Sequence, residues 1–154
     1  MDRRIDGRTR PMKIEQIAVY VENKPGRLSA IIHSLAGAGI DIRALSISDS
    51  PEFGVLRMIV NDPDGAYRIL REGDFTVSKT KVLGVRMPDA PGGLSAVLTV
   101  LNENGINLEY MYTFSGAMDG DASIVFKVEN IEEAISRLEG TGIHLMTTEE
   151  AYRG

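Results

Sequence analysis

Two short segments hold the residues best suited to chemistry. They are Asn23-Lys24-Pro25-Gly26-Arg27-Leu28 and Asp89-Ala90-Pro91-Gly92-Gly93-Leu94. Proline lacks an amide hydrogen, and glycine lets another group approach the main chain closely. An apolar helical stripe follows each Pro-Gly pair. The amides just after the pair therefore lie at a helix N-terminus, where they point outward and suit a carboxylate or a phosphate. Asn23 and Asp89 set a side-chain acceptor beside those donors. Donors for a carboxylate next to an acceptor for an ammonium suit an α-amino-acid zwitterion, although the same residues also make an ordinary strand-to-helix turn. Asp41 before Ile42, and Asn107 before Leu108, add polar groups where a second strand begins.

The two segments are one segment repeated. With an offset of 66 residues and no gap, residues 23–43 and 89–109 share eight identities in 21 positions. After a two-residue slip, Leu56, Met58, Val60, Ala66 and Leu70 match Ile124, Phe126, Val128, Ala134 and Leu138. A period of about 67 residues is too long for a solenoid repeat and suits one small domain. The chain is therefore read as a tail over residues 1–12, one unit over 13–80 and a second over 81–150. Residues 1–11 carry four arginines and no apolar anchor, so the tail is expected to be mobile and dispensable.

Within each unit the pattern alternates between strand and helix. Ile17, Val19 and Val21 have the period of a half-buried strand, as do Leu83, Val85 and Met87. Leu28, Ile31, Ile32 and Leu35 form a helical stripe, repeated by Leu94, Val97, Leu98 and Leu101. Gly39 and Gly105 suit left-handed helix ends. Second strands are expected over 40–48 and 106–114, and third strands over 55–60 and 123–128. Ser50-Pro51-Glu52 and Asp119-Gly120 are read as the hairpin turns between them. Asp62-Pro63 and Asn130 with Glu133 read as starts of second helices. Last strands fall at 75–79 and 143–147. The order β-α-β-β-α-β folds into an antiparallel sheet with both helices on one face. The fold class is thus α+β, two ferredoxin-like sandwiches in tandem. The linker of about three residues is too short for a flexible tether, so the units should hold a fixed, side-by-side relation. The Pro-Gly loop and the start of strand two lie at opposite ends of one such sheet. A site using both needs two units, pairing Asn23 with Asn107 and Asp89 with Asp41.

Composition narrows the function. The 154 residues are 43% hydrophobic and 25% charged, without cysteine and with a net charge of −5. Disulfides and thiolate chemistry are excluded, and a reducing cytoplasm is the expected setting. The acidic balance argues against nucleic acid, and there is no run of about 18 apolar residues for a membrane span. His33 and His144 lack the neighbours of a metal site, so no metal or cofactor is expected. Tyr110, Tyr112 and Phe114 alternate on one strand and read chiefly as packing residues.

The two Pro-Gly segments, followed by Ala38-Gly39-Ile40-Asp41-Ile42 and Asn104-Gly105-Ile106-Asn107-Leu108, resemble the signature of ACT domains. These are small regulatory modules of amino-acid metabolism. The resemblance covers residues 13–150. It implies a non-catalytic sensor that binds an amino acid at an interface between ACT units, with residues 23–28, 41–42, 89–94 and 107–108 in contact. Asp41 stands where the family more usually has asparagine. A homodimer is expected, and a regulated enzyme is the natural partner. The alternatives are an obligate regulatory subunit of a biosynthetic enzyme and a small acyl-phosphate hydrolase. The latter would need a phosphate-holding arginine beside a water-positioning asparagine, and Arg27 is its one plausible part. Of the two corners, the one with Asn23, Asn107 and Arg27 should take an amino acid. Asp89 with Asp41 should favour a cation or stay empty. Gly26→Val is expected to block the first loop with little effect on the core.

Overall fold

The computed structural model describes residues 12–49, 53–116 and 120–153, and the backbone of Arg4–Ile5 and Arg8–Thr9, which pair antiparallel. The tail otherwise lies outside the described residues, as do both hairpin turns apart from Gly120. In the first half, β1 (Ile14–Glu22) leads to α1 (Arg27–Gly37), β2 (Ile42–Asp49), β3 (Phe53–Val60) and α2 (Pro63–Glu72). A long strand, β4 (Val77–Pro88), joins the halves. The second half continues with α3 (Gly93–Glu103), β5 (Leu108–Thr113), β6 (Asp121–Val128), α4 (Ile131–Leu138) and β7 (His144–Leu145). A last helix, α5 (Thr148–Arg153), follows. The elements are those of two ferredoxin-like units.

The local reasons match the sequence. Asp62 caps α2 by accepting from the Gly65 amide at 3.1 Å, with Pro63 at the first helical position. Asn130 caps α4 through the Glu133 amide at 3.1 Å. Gly39 and Gly105 leave their helices at φ +73° and +67°, a conformation that glycine adopts without steric cost.

The join between the halves differs from expectation. The sheet runs β2-β3-β1-β4-β6-β5, with β7 also on β4. Residues 77–82 of β4 pair with β1, and residues 83–88 pair with β6. The boundary expected between 80 and 81 therefore lies inside an unbroken strand. The period-2 alternation runs straight through it, with Val82 and Leu83 both buried on opposite faces. The tail also ends one residue earlier than expected. Met12 is only 3% exposed and packs into the helix-side core of the second half.

Each half has its own core between sheet and helices. Ile17, Val19, Ile31, Leu35, Leu56 and Leu70 belong to the first; Leu83, Val85, Leu101, Phe126 and Leu138 belong to the second. A third core lies between the opposite faces of the sheet. The sheet curls until its outer strands meet, where Ala44 bridges Phe114 and the Ser115 amide donates to the Arg43 carbonyl at 2.8 Å. Ile14, Ala44, Ile59, Val82, Tyr112, Val125, Met146 and Ala151 fill the enclosed space. Gln16 is buried there and hydrogen-bonds both tyrosines. Its amide donates to the Tyr110 hydroxyl at 2.8 Å, and the Tyr112 hydroxyl donates to its carbonyl at 2.7 Å. Tyr110, Tyr112 and Phe114 are thus packing residues of this inner core.

Candidate functional site

Both Pro-Gly loops are open at the main chain. Gly26 and Gly92 sit at φ +86° and +87° at the N-caps of α1 and α3, and neither cap makes a side-chain hydrogen bond. A Cβ at either glycine would meet nothing within 4 Å. The glycines are needed for their left-handed backbone, and the space above them is free for a ligand group. That backbone also corrects the expectation for Gly26→Val, because a β-branched residue at φ +86° is strained whatever the space around it.

Other site residues fall in different places. Asn23, Lys24 and Leu28 line a cavity of about 200 Å³ with Ile47 and Phe53, all from the first half. Arg27 turns away from it. Its guanidinium stacks 4.9 Å from the centre of the Phe75 ring, and its Nε is buried without a hydrogen-bond partner. It therefore lines a second cavity, of about 320 Å³, with Tyr20 and Asp74. The expectation that Arg27 helps a carboxylate at the Asn23 corner does not hold in this arrangement, because cation–π stacking holds the charge on the other side of β1.

Asp41 is engaged within its own half. Its carboxylate pairs with Arg43 at 3.3 Å, and its amide donates to Asn61 at 2.9 Å. Asn107 donates to the Glu129 carboxylate at 3.2 Å and lines a polar cavity of about 440 Å³ with Glu133 and Arg137. Arg137 is fixed there by the Asn104 carbonyl at 2.7 Å and by Glu133. The Asp89 amide donates to the Gly120 carbonyl at 2.9 Å, which ties the second loop to β6. Ile42 and Leu108 are half-buried and pack against the helix-side cores. Pro25, Ala90 and Pro91 are exposed, and Leu94 is half-buried.

Strand directions put Asn23 and Asn107 at one end of the sheet and Asp41 and Asp89 at the other. None of the four cavities seen among the described residues has walls from both halves. The pairing of a loop with the other half's strand start is not achieved within one chain by any of them. Nor do the described residues contain three or more His, Asp or Glu side chains grouped to hold a metal. No described helix is long and apolar enough to cross a membrane.

Twin open Pro-Gly loops on paired βαββαβ units agree with a family match. The profile of the ACT domain pair matches residues 12–148. The chain belongs to the ACT domain pair family. Among solved structures, protein BT0572 from Bacteroides thetaiotaomicron shares 36% identity, with a TM-score of 0.87 over 93% of this chain and 98% of that one. The ligand-free regulatory subunit of aspartate kinase from Thermus thermophilus has a TM-score of 0.60 at 14% identity, over 85% of this chain and 94% of that one. The structure of aspartokinase alpha and beta subunits has a TM-score of 0.53 at 17% identity, over 82% and 95%. At such identities the last two share the fold with this ACT pair. No curated protein matches the sequence.

The sequence reading missed α5, which begins at the end of the family match. Its signal was present as Thr147-Thr148-Glu149-Glu150, the spacing of a capping box. The Glu150 carboxylate accepts from the Thr147 amide at 3.0 Å, and the Thr147 hydroxyl accepts from the Glu150 amide at 3.2 Å. Glu150 also pairs with His144 at 2.9 Å. Burial pushes its carboxyl up, but the Thr147 amide and His144 outweigh burial and hold it below its ordinary value.

Proposed function

We propose that this ACT pair is a non-catalytic regulatory module that binds an amino acid where a Pro-Gly loop meets the strand-two start of an ACT unit from a second copy. The observation that supports the reading is the pair of loops, each with a left-handed glycine at a helix N-cap and no atom within 4 Å of where its Cβ would stand. Such a terminus offers donors and a positive dipole end to a carboxylate. Each of the four described cavities is walled by one half alone, and this reading takes the second wall from a partner copy. The working form is therefore a homodimer, in the reducing cytoplasm that the cysteine-free sequence suits. Ligand bridging two copies favours one arrangement over another, and that differential affinity is what shifts a population.

A second reading, the regulatory subunit of an amino-acid biosynthetic enzyme, draws on exposed apolar residues. Tyr20, Leu28, Leu45, Ile47 and Phe53 are all exposed on the first half. A hydrolase lacks support, since Arg27 is stacked on Phe75. Calorimetry against the twenty amino acids tests the main reading. One amino acid should bind, and Asn107→Ala should weaken it by about 1–3 kcal/mol through ligand groups left unpaired. Full affinity in Asn107→Ala places the site elsewhere.

A further inference from the structure

The curled sheet is bridged at one end of its seam and not at the other. Its outer strands, β2 and β5, meet antiparallel where Ala44 bridges Phe114. Carried along both strands, that register sets Leu45 opposite Thr113, Ile47 opposite Met111 and Ser48 opposite Tyr110. The repeat gives the seam a pseudo-two-fold axis. Both strands carry a register shift at the same place, between Ile42 and Ala44 and between Leu108 and Tyr110. Ala44 therefore corresponds to Tyr110, and Ser48 to Phe114. The symmetric counterpart of the Ala44–Phe114 bridge is a Ser48–Tyr110 bridge, and among the described residues that bridge is not formed.

One side chain accounts for the difference. Arg57 pairs with Ser46 on one side and Ala18 on the other, and shares the enclosed face of the sheet with Ile59. It reaches across the unbridged end. Its Nη1 donates to the Ser48 hydroxyl at 3.2 Å, and its guanidinium lies 4.2 Å from the centre of the Tyr110 ring. Arg57 thus touches both residues of the unmade bridge. Its counterpart in the second half is Val125, fully buried in the inner core. A valine lets the main chains approach, whereas a guanidinium stacked on a tyrosine keeps them apart. The outer face shows the consequence. Ile47 and Met111 are 49% and 41% exposed, although the register makes them opposite neighbours. Such cross-strand pairs cover each other once the strands pair.

We propose that the β2–β5 seam is a latch with two states and that Arg57 is the strut that holds it open. In the closed state Arg57 swings out, Ser48 pairs with Tyr110, and Ile47 packs on Met111. Packed edges switch between discrete arrangements rather than deforming continuously. Asn23 and Asn107 lie at the open end, so closing changes the spacing between the loop of one half and the strand-two start of the other. The latch is a property of the unliganded chain and is independent of the loop-corner reading.

The test is disulfide trapping without added amino acid, in a chain that has no cysteine of its own. Ile47→Cys with Met111→Cys samples the unbridged end; Leu45→Cys with Thr113→Cys samples the pair beside the bridge. All four positions are exposed, and a bond needs Cα atoms within about 7 Å. Under mild oxidation the pair beside the bridge should link rapidly within one chain. The Ile47/Met111 pair should link within one chain too, but at least about tenfold more slowly, because it waits for a minor state. Arg57→Val should speed that second reaction at least about fivefold and leave the first unchanged, which also shows that the variant folds. Arg57→Lys keeps the charge but loses the planar group that stacks, and should speed it as well. An Ile47/Met111 pair that never links within one chain overturns the proposal. So does one that links as fast as the pair beside the bridge with Arg57 in place, or a rate that neither Arg57 variant changes. Links formed only between two chains, read as a doubled mass on a gel, overturn it too. The comparison of the two cysteine pairs with Arg57 in place stands whether or not the Arg57 variants fold.

Discussion

Gln16 joins the two ACT units through buried hydrogen bonds. It comes from β1, yet both its hydrogen-bonding tyrosines come from β5. In a buried setting, removing one partner leaves a desolvated group unpaired, at about 1–3 kcal/mol. Tyr112→Phe is expected to destabilise by that amount in denaturant titrations. Burial also drives the Tyr112 hydroxyl far above its ordinary value of 10.0. A folded pKa above the unfolded one gives stability that is complete below the unfolded value and lost as pH rises past it. The protein should therefore weaken as pH climbs above about 10, and Tyr112→Phe should flatten that limb in melts across pH. At Gly26, valine meets a left-handed backbone, so Gly26→Val should lower stability by about 1–2 kcal/mol apart from any effect on ligand. The Pro-Gly loops were legible because their chemistry is local. The stacking of Arg27 on Phe75 was not, because nothing near Arg27 in sequence marks a residue that only the fold brings to it.

At the scale of elements, periodicity revealed the repeated β-α-β-β-α-β order, and the caps at Asp62 and Asn130 lie where their spacing indicates. The last strand of the second half was the weak point. It is expected over five residues, 143–147, but pairs over two, His144–Leu145. Met146 then turns inward, its amide donating to the Gly84 carbonyl at 2.8 Å. An alternating apolar pattern cannot tell a strand from a segment turning into a core on the far side of the sheet. Beyond it, α5 closes the inner core with Ala151, and the Tyr152 hydroxyl accepts from the Glu15 amide at 2.8 Å. Glu150 holds this helix, and its lowered pKa gives the sign. A depressed folded pKa contributes stability above the unfolded value and loses it as pH falls through the folded one. The docking of α5 should therefore fail in acid, below the ordinary 4.5 of this carboxyl. Glu150→Gln should be less stable at neutral pH and lose much of that acid dependence. Tyr152 and Ala151 NMR signals followed across pH would show it; an unchanged acid limb in Glu150→Gln would assign the transition to other carboxylates.

For the whole molecule, the repeat pointed to two ferredoxin-like units but not to how completely they are fused. Strand 4 serves both sheets, and the inner core draws Ile14, Ala44 and Ile59 from one half and Tyr112, Val125 and Met146 from the other. Two sheets with one hidden face between them look, in sequence, like two strands with polar outer faces; Gln16 and the tyrosines conceal the contact. Separating the halves would uncover that face. The fragment 81–154 would expose Val82, Val125 and Met146, each contributing about 1.5–3 kcal/mol when buried, and would lose the β1 partners of Lys81 and Val82. Against a total stability of about 5–15 kcal/mol for a domain, that loss is decisive. The fragment is expected to be unfolded alone, and the whole chain to melt in one step with equal calorimetric and van't Hoff enthalpies. Two resolved heat-absorption peaks, or a fragment 81–154 with dispersed NMR signals, would show that each ACT unit stands by itself and that strand 4 is only a seam.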